Sequence, residues 1–374
     1  MAPKQYVTKF VCGYFVLLSL IVIFNRIVDP AWYYRDTEIN GFNAIKPTFA
    51  NFARDVKPAL LKRDQPDAII LGSSYSEIGF NPTNQFFTDH GRLKGMNFAF
   101  AKASWGEVQC DFEFAVTHSN IKRALVGFHP GHLPISNCVK DFASIGQLNT
   151  IDLLLTYSAL KYSIETIRQQ NNGVGTHSRE GMYFYNRWTD ANYLFREDLE
   201  TRLSNCQHNM DTNKSPGHSD SNNSLDLSGL KRMIKSAKEH GVELVLFAYP
   251  KHAYLLELDN FCGGQEAEWR MMNRIAAFVD AESSGQFRAW QFYGYNDVTA
   301  EPVRKTRGYW QDAKHFNFEV GNLLLDDMFD KTRNRLAYAR PLNSDYSDYL
   351  REREEYLQHH PEFQAEMQNV FLLK

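Results

Sequence analysis

The apolar positions of this chain fall into two regimes. From Phe10 to Phe24 no charge interrupts the run. With Tyr6-Val7-Thr8 before it and Ile27-Val28 after it, the stretch approaches the roughly 20 residues needed to span a bilayer. Beyond residue 30 the apolar runs are short. Five of them, at 67–71, 95–101, 123–128, 242–248 and 287–292, have the length and residue types of buried strands. Segments with helical spacing lie between them. Ser104 is placed to cap a helix over 104–117, with Glu107 three residues on as in a capping box. Residues 151–170 read as a helix, and so do 228–240, with Ser228 as N-cap and Gly241 as the stop. Further helices are predicted over 266–280 and 320–328. The charged and aromatic stretch 344–370 reads as one helix or a pair. Residues 203–225 are rich in Asn, Ser, Asp and His and contain Lys214-Ser215-Pro216-Gly217, so they read as a loop or insertion.

Strands alternating with helices imply a parallel sheet covered on both faces. The expected fold is a three-layer α/β sandwich on a central five-stranded parallel sheet, preceded by one transmembrane helix. The linear division is a cytoplasmic stub and anchor over 1–30 and a membrane-proximal segment over 31–65. An α/β domain follows over 66–335, with a polar insertion near 203–225, and then a helical extension over 336–374.

Charge fixes the expected orientation. Lys4 and Lys9 precede the apolar run, and Arg26 and Asp29 follow it. That basic bias places the N-terminus in the cytoplasm. A cleaved signal peptide is the alternative, but Asn25-Arg26-Ile27-Val28-Asp29-Pro30 offers no small-x-small site and the apolar run is long for a signal. The expectation is a single-pass protein of the inner membrane with its main domain in the periplasm. Trp32-Tyr33-Tyr34 would then sit at the interface. The net charge of −3 supplies no basic field for nucleic acid. Of five cysteines, Cys12 lies in the anchor, and Cys110, Cys138, Cys206 and Cys262 lie in the exported part. These four permit one or two disulfides in an oxidising compartment, with three full pairings open. No Cys-x-x-Cys pair is present, and neither a metal nor another cofactor is expected.

The candidate chemistry lies just past predicted strand ends, where open α/β sheets bind ligands. Gly72-Ser73-Ser74-Tyr75-Ser76 follows the first strand, and Asp312-Ala313-Lys314-His315 follows the fifth. A serine hydroxyl needs a base, and the base needs an orienting partner. Ser74 as nucleophile, His315 as base and Asp312 as orienter satisfy that need in one chain order. Each half has a plainer explanation. Serines satisfy backbone groups in turns, and Asp-x-x-His is also a helix start with Asp312 as its cap. Ser73 and Ser76 compete with Ser74. His129 reads as structural or substrate-facing, and His359-His360 lies in the charged tail.

These motifs resemble those of the SGNH (GDSL-type) hydrolase superfamily. Gly72-Ser73-Ser74 is similar to its Gly-Asp-Ser block, and Asp312-x-x-His315 is similar to its last block. Ser73 in place of Asp is shared with the branch that modifies envelope polymers. That branch includes the D-alanine-transfer protein of teichoic acid synthesis and the SGNH-like proteins of alginate acetylation. The resemblance implies Ser74, Asp312 and His315 as catalytic residues, with the Ser74 backbone N–H in the oxyanion hole. In the middle blocks, Asn97-Phe98-Ala99 stands where a glycine is usual, and Gly127-Phe128-His129 lacks the usual asparagine. Ala99, Asn97 and His129 are therefore the expected oxyanion or substrate contacts. The implied activity is a serine acyltransferase or esterase acting on O-acyl groups, acetyl foremost, of a cell-surface polysaccharide. A multi-spanning membrane acyltransferase is the implied acyl donor. The alternative is a non-catalytic polysaccharide-binding or scaffolding component with the same fold.

Overall fold

The short apolar runs become strands because most of them bury successive side chains, and so both faces, in a sheet. In the computed structural model, residues 3–130, 148–172, 175–184, 191–211, 226–303, 308–329 and 339–371 are described. The strands are β1 (Ala68–Leu71), β2 (Gly95–Asn97), β3 (Arg123–Phe128), β4 (Glu243–Ala248), β5 (Arg288–Gln291) and β6 (Arg340–Pro341). They form one six-stranded sheet in the order β2-β1-β3-β4-β5-β6. β1 through β5 pair in parallel, with Ile70 opposite both Asn97 and Leu125. β6 adds antiparallel to β5 through Trp290↔Pro341 and Gln291↔Arg340. The expected five-stranded parallel sheet is thus a mixed sheet of six. The extra strand has only two residues, too few for any period to mark it.

The longer helices of the first half are α1 (Pro3–Val28), α2 (Ala53–Asp64), and then, past the short α3 (Ser74–Gly79) and α4 (Gln85–Thr88), α5 (Trp105–His118). They continue as α6 (Thr150–Leu154), α7 (Tyr157–Arg168), α8 (Ala191–Asp211), α9 (Ser228–His240), α10 (Ala253–Phe261) and α11 (Gln265–Ser283). The last are α12 (Phe318–Phe329), α13 (Tyr346–His359) and α14 (Pro361–Phe371). Ser104 caps α5 by accepting the Glu107 N–H, and Gly241 ends α9 in the left-handed region. Ser228 differs from expectation. It is the first helical residue, and Asp226 Oδ1 accepts its N–H. The helix expected over 151–170 is broken, because the Thr156 hydroxyl accepts the Ala159 N–H and starts α7 afresh.

The chain falls into two units, one from the described residues of 1–64 and 141–186, the other from those of 65–140 and 187–374. Residues 148–172 therefore group with α1 rather than with the sheet that flanks them in sequence. In the first unit α1 is long and apolar enough to cross a membrane, with a mean hydropathy of 2.3 over its most apolar window. Its C-terminus is bonded into the unit. Asn25 Nδ2 donates to the Leu154 carbonyl at 2.8 Å and Asn43 Nδ2 to that of Ile27 at 2.7 Å. The buried Lys46 ammonium donates to the Val28 carbonyl at 2.8 Å. These bonds satisfy carbonyls that a helix end leaves open.

In the second unit the stretch expected as a loop over 203–225 is helical as far as Asp211, and 212–225 lies outside the described residues. Polar composition hid α8 because only a narrow stripe of it is apolar. Phe195, Leu199 and Leu203 recur every four residues and enter the core. Beside that stripe Arg202 reaches Asp259 at 3.3 Å, Lys314 pairs with Asp198, and Cys206 is disulfide-bonded to Cys262. The last bond resolves one pairing left open by the sequence. Cys110 is also disulfide-bonded, and Cys138 lies outside the described residues.

The Cys206–Cys262 bond closes a loop over a sequence separation of 56. Loop-closure entropy assigns such a bond about 4 kcal/mol. Replacing both cysteines by alanine should lower the thermal midpoint of the purified protein by the equivalent of that loss. An unchanged midpoint would show that α8 is held without it.

Candidate active site

β1 delivers its chain to a turn that only glycine can make. Gly72 has φ +139°, and a Cβ there would meet the Tyr249 hydroxyl at 2.2 Å and Ser76 Oγ at 2.4 Å. On the neighbouring β3, a Cβ at Gly127 would meet the Tyr249 ring at 2.3 Å. The two glycines leave a slot, and Tyr249, at the end of β4, fills it. Its hydroxyl accepts the Ser73 N–H at 2.7 Å and pairs with Ser76 Oγ at 3.2 Å. Burial pushes the Tyr249 phenol up, so it stays an O–H throughout the neutral range.

Ser74 is the first residue of α3 and is partly exposed. Its Oγ lies 2.9 Å from His315 Nε2. His315 Nδ1 lies 2.8 Å from Asp312 Oδ2 and 3.0 Å from Oδ1. With the proton on Nδ1, imidazole donates to Asp312 and offers Nε2 to the serine. The structure thus brings Ser74, His315 and Asp312 together in one hydrogen-bonded chain. The competing serines are elsewhere. Ser76 Oγ is buried on Tyr249, and Ser73 Oγ is buried without a hydrogen-bond partner among the described residues.

Asp312 does not cap a helix. Its Oδ1 accepts the Lys314 N–H at 2.9 Å and the His315 N–H at 2.8 Å, a turn that reverses the chain. The reversal sits in a small hairpin, where Gln311 N donates to the His315 carbonyl at 2.7 Å and Asn317 N to that of Tyr309 at 2.8 Å. Trp310 anchors the hairpin through Nε1 to the Val298 carbonyl at 2.7 Å, and Glu301 accepts the Tyr309 N–H at 2.7 Å. α12 starts only at Phe318. Burial raises the Asp312 carboxyl, but the His315 bond and charge and the two backbone N–H groups outweigh it and hold it down at about 2.

The other expected contacts are placed differently from one another. Asn97 is fully buried, and its Nδ2 donates to the carbonyls of Ser76, Glu77 and Phe80 at 3.0–3.2 Å. It therefore holds α3, which carries Ser74, from behind. Asn97 Oδ1 accepts the Ala99 N–H at 3.2 Å. The Ser74 N–H has no acceptor among the described residues. His129 is partly exposed, with its ring edge-on to Tyr75 at 4.6 Å and to Tyr249 at 4.7 Å. Tyr75 also stacks on Tyr249 at 4.7 Å and lies 4.9 Å from the His315 ring. Among the described residues no cluster of His, Cys, Asp and Glu is arranged to hold a metal.

Sequence reasoning missed Tyr249, Tyr75 and the Lys314–Asp198 pair. For Tyr249 a signal existed. Two glycines end adjacent strands, and an aromatic residue ends the next one. Lys314 gave none, because its partner Asp198 lies 116 positions away on a helix that the sequence pattern did not mark.

No family model matches the chain, and no curated protein matches it in sequence.

Two outcomes follow from this geometry. Tyr249→Phe leaves the Ser73 N–H without an acceptor, a loss of about 1–3 kcal/mol if that donor stays dry. Labelling of the protein by a fluorophosphonate should slow, while melting shows it still folded; an unchanged labelling rate would remove Tyr249 from the site. Asp312 titrates near 2 when folded and near 3.8 when unfolded, so its stabilisation is complete above pH 4 and is lost as pH falls through about 2. The difference is worth roughly 2 kcal/mol. Asp312→Asn should remove that part of the acid dependence in denaturation measured from pH 5 to pH 2; an identical acid limb in both proteins would contradict it.

Proposed function

We propose that this protein is a membrane-anchored serine acyltransferase or esterase acting on O-acyl groups, acetyl foremost, of a cell-surface polysaccharide. The observation that carries the reading is the Ser74–His315–Asp312 chain of hydrogen bonds. In it Ser74 Oγ attacks the acyl carbonyl carbon while His315 Nε2 takes the serine proton. Collapse of the tetrahedral intermediate passes that proton to the leaving alkoxide and leaves the acyl group on Ser74. His315 then deprotonates a second hydroxyl, which attacks the ester and regenerates the serine. Water as that hydroxyl makes an esterase, and a sugar makes a transferase. The buried Asp312 stabilises the imidazolium formed in each step. The free Ser74 N–H is the first oxyanion donor. Its position at the start of α3 adds the positive end of the helix dipole to that role.

The motif resemblance to SGNH hydrolases supports the same reading. So does the strand order, since β1 and β3 flank the point where a doubly wound sheet of this order binds ligands. The proposed architecture is accordingly a three-layer, flavodoxin-like sandwich of SGNH type. Tyr75 and His129 offer aromatic faces beside Ser74, a surface that suits a sugar ring. In this reading α1 is an uncleaved inner-membrane anchor, with the site in the periplasm. The bonded C-terminus of α1 supports retention, and the Cys206–Cys262 bond supports an oxidising compartment. A multi-spanning membrane acyltransferase is the proposed donor.

One observation favours a second reading, a non-catalytic polysaccharide-binding or scaffolding component. The Ala99 N–H, the natural second oxyanion donor, already donates to Asn97. The Ser74→Ala protein decides between the two. Expressed at normal level, it should lower polymer O-acyl content to that of cells lacking the protein, because loss of a serine nucleophile costs roughly 10⁴-fold or more. Unchanged acylation would leave only the binding role.

A further inference from the structure

Helices α6 and α7 carry an apolar surface that the first unit does not cover. Ile151 is 58% exposed, Leu155 43%, Tyr157 81% and Ile164 38%. Along α7 the outward positions Tyr157, Lys161, Ile164 and Arg168 follow one helical face, while Ala159, Ser163 and Thr166 are buried on the other. An aromatic ring, two basic residues and a branched aliphatic residue on one face is the composition of a helix lying on a lipid surface.

The level of this face along α1 indicates what covers it. α6 and α7 are the helices packed on α1. α1 is exposed through Leu17, and positions 18, 21, 22, 24, 25, 26 and 28 are partly or fully covered, one side of its last turns. Asn25 bonds the Leu154 carbonyl, which puts the α6–α7 corner level with Asn25. Gln170 brackets the Ile45 backbone through both ends of its amide at 3.0 and 2.7 Å, and Thr48 bonds Thr166 at 3.1 Å. The corner is therefore also held by the segment 45–48, which Lys46 in turn bonds to the Val28 carbonyl at the end of α1.

Length then places the corner. Between Lys9 and Arg26 lie 16 residues, 10–25, without a charge. At 1.5 Å per residue they reach about 24 Å, short of the roughly 30 Å of hydrocarbon. Shared between the two ends, that shortfall of about 6 Å carries the hydrocarbon about 3 Å past the run at each, to the level of Arg26 and Ile27. Leu18, the first covered position of α1, lies about 9 Å below Phe24 on the helix axis, so the cover on α1 begins within the acyl region.

We propose that the α6–α7 corner is a membrane-surface element. Ile151, Leu155, Tyr157 and Ile164 enter the headgroup and upper acyl region of the leaflet where α1 emerges, and Lys161 and Arg168 reach the lipid phosphates. This rests on α1 spanning the bilayer. It adds that the first unit is a wedge seated in lipid, which fixes the orientation of that unit on the membrane.

The test uses the full chain in lipid nanodiscs with Cys12→Ser to remove the free thiol. Nitroxide labels are attached at Tyr157→Cys, Ile164→Cys, Val16→Cys on α1 and Lys235→Cys on α9. Each is read for collision with oxygen and with a water-soluble nickel chelate. The expected result is loss of nickel collision and gain of oxygen collision at 157, 164 and 16, with the reverse at 235. Nickel access at 157 and 164 equal to that at 235, with 16 still protected, would overturn the proposal while leaving the anchor intact. That face would then await a protein partner. Nickel access at 16 as well would overturn the anchor and the proposal together.

Discussion

The 2.9 Å contact between Ser74 Oγ and His315 Nε2 joins residues 241 positions apart, and the site depends on it. Neither partner is held by its own neighbours alone. Ser74 is aimed by a glycine turn at the end of β1, by Tyr249 from the end of β4, and by Asn97 from the end of β2. His315 is aimed by a hairpin that Trp310 and Glu301 bolt to the segment after β5. Four strand ends must therefore be in register to within the tolerance of one hydrogen bond. The parallel pairing of β1 through β5 supplies that register, because its hydrogen bonds fix each strand end against its neighbours.

Charge in the site is arranged with the same economy. Asp312 is nearly dry, a state that disfavours a carboxylate, yet four interactions keep it ionised. Two of them are backbone N–H groups of its own turn, so the residue that orients the imidazole is itself oriented by the fold. A deeper network ties α8 to the same edge. Lys251 bonds Asp259 at 2.7 Å and also Glu268, which accepts the Tyr293 hydroxyl at 3.0 Å. Burial lowers the Lys251 ammonium, but the two carboxylates more than restore it, so all three charges remain paired. With Arg202 on Asp259 of α10 and Lys314 on Asp198, α8 is held both by a neighbouring helix and by the hairpin that carries His315.

The five parallel strands were legible because each falls within a short apolar stretch bounded by a turn, although the strands themselves are only three to six residues long. The Ser74–His315–Asp312 set was legible because nucleophile, base and orienter are restricted residue types that sit just past strands. What escaped had no local signature. β6 is two residues long. α8 looks polar except on one stripe, and its supports are a disulfide and ion pairs across the chain. Asn97 was read as an oxyanion or substrate contact from its motif position, whereas its Nδ2 bonds backbone carbonyls of α3 and Phe80 and its Oδ1 accepts the Ala99 N–H. Tyr249 left only a non-local trace, glycines at the ends of two other strands, and the packing shows that Gly72 and Gly127 are small on its account.

The central claim is that Ser74 is a nucleophile activated by His315 and Asp312. The most direct measurement is peptide mass mapping of the full-length protein after exposure to a fluorophosphonate, beside His315→Ala. The account predicts one adduct on the peptide carrying Ser74, and its loss in the His315→Ala protein. An adduct on another serine, or equal labelling of Ser74 without His315, would contradict it.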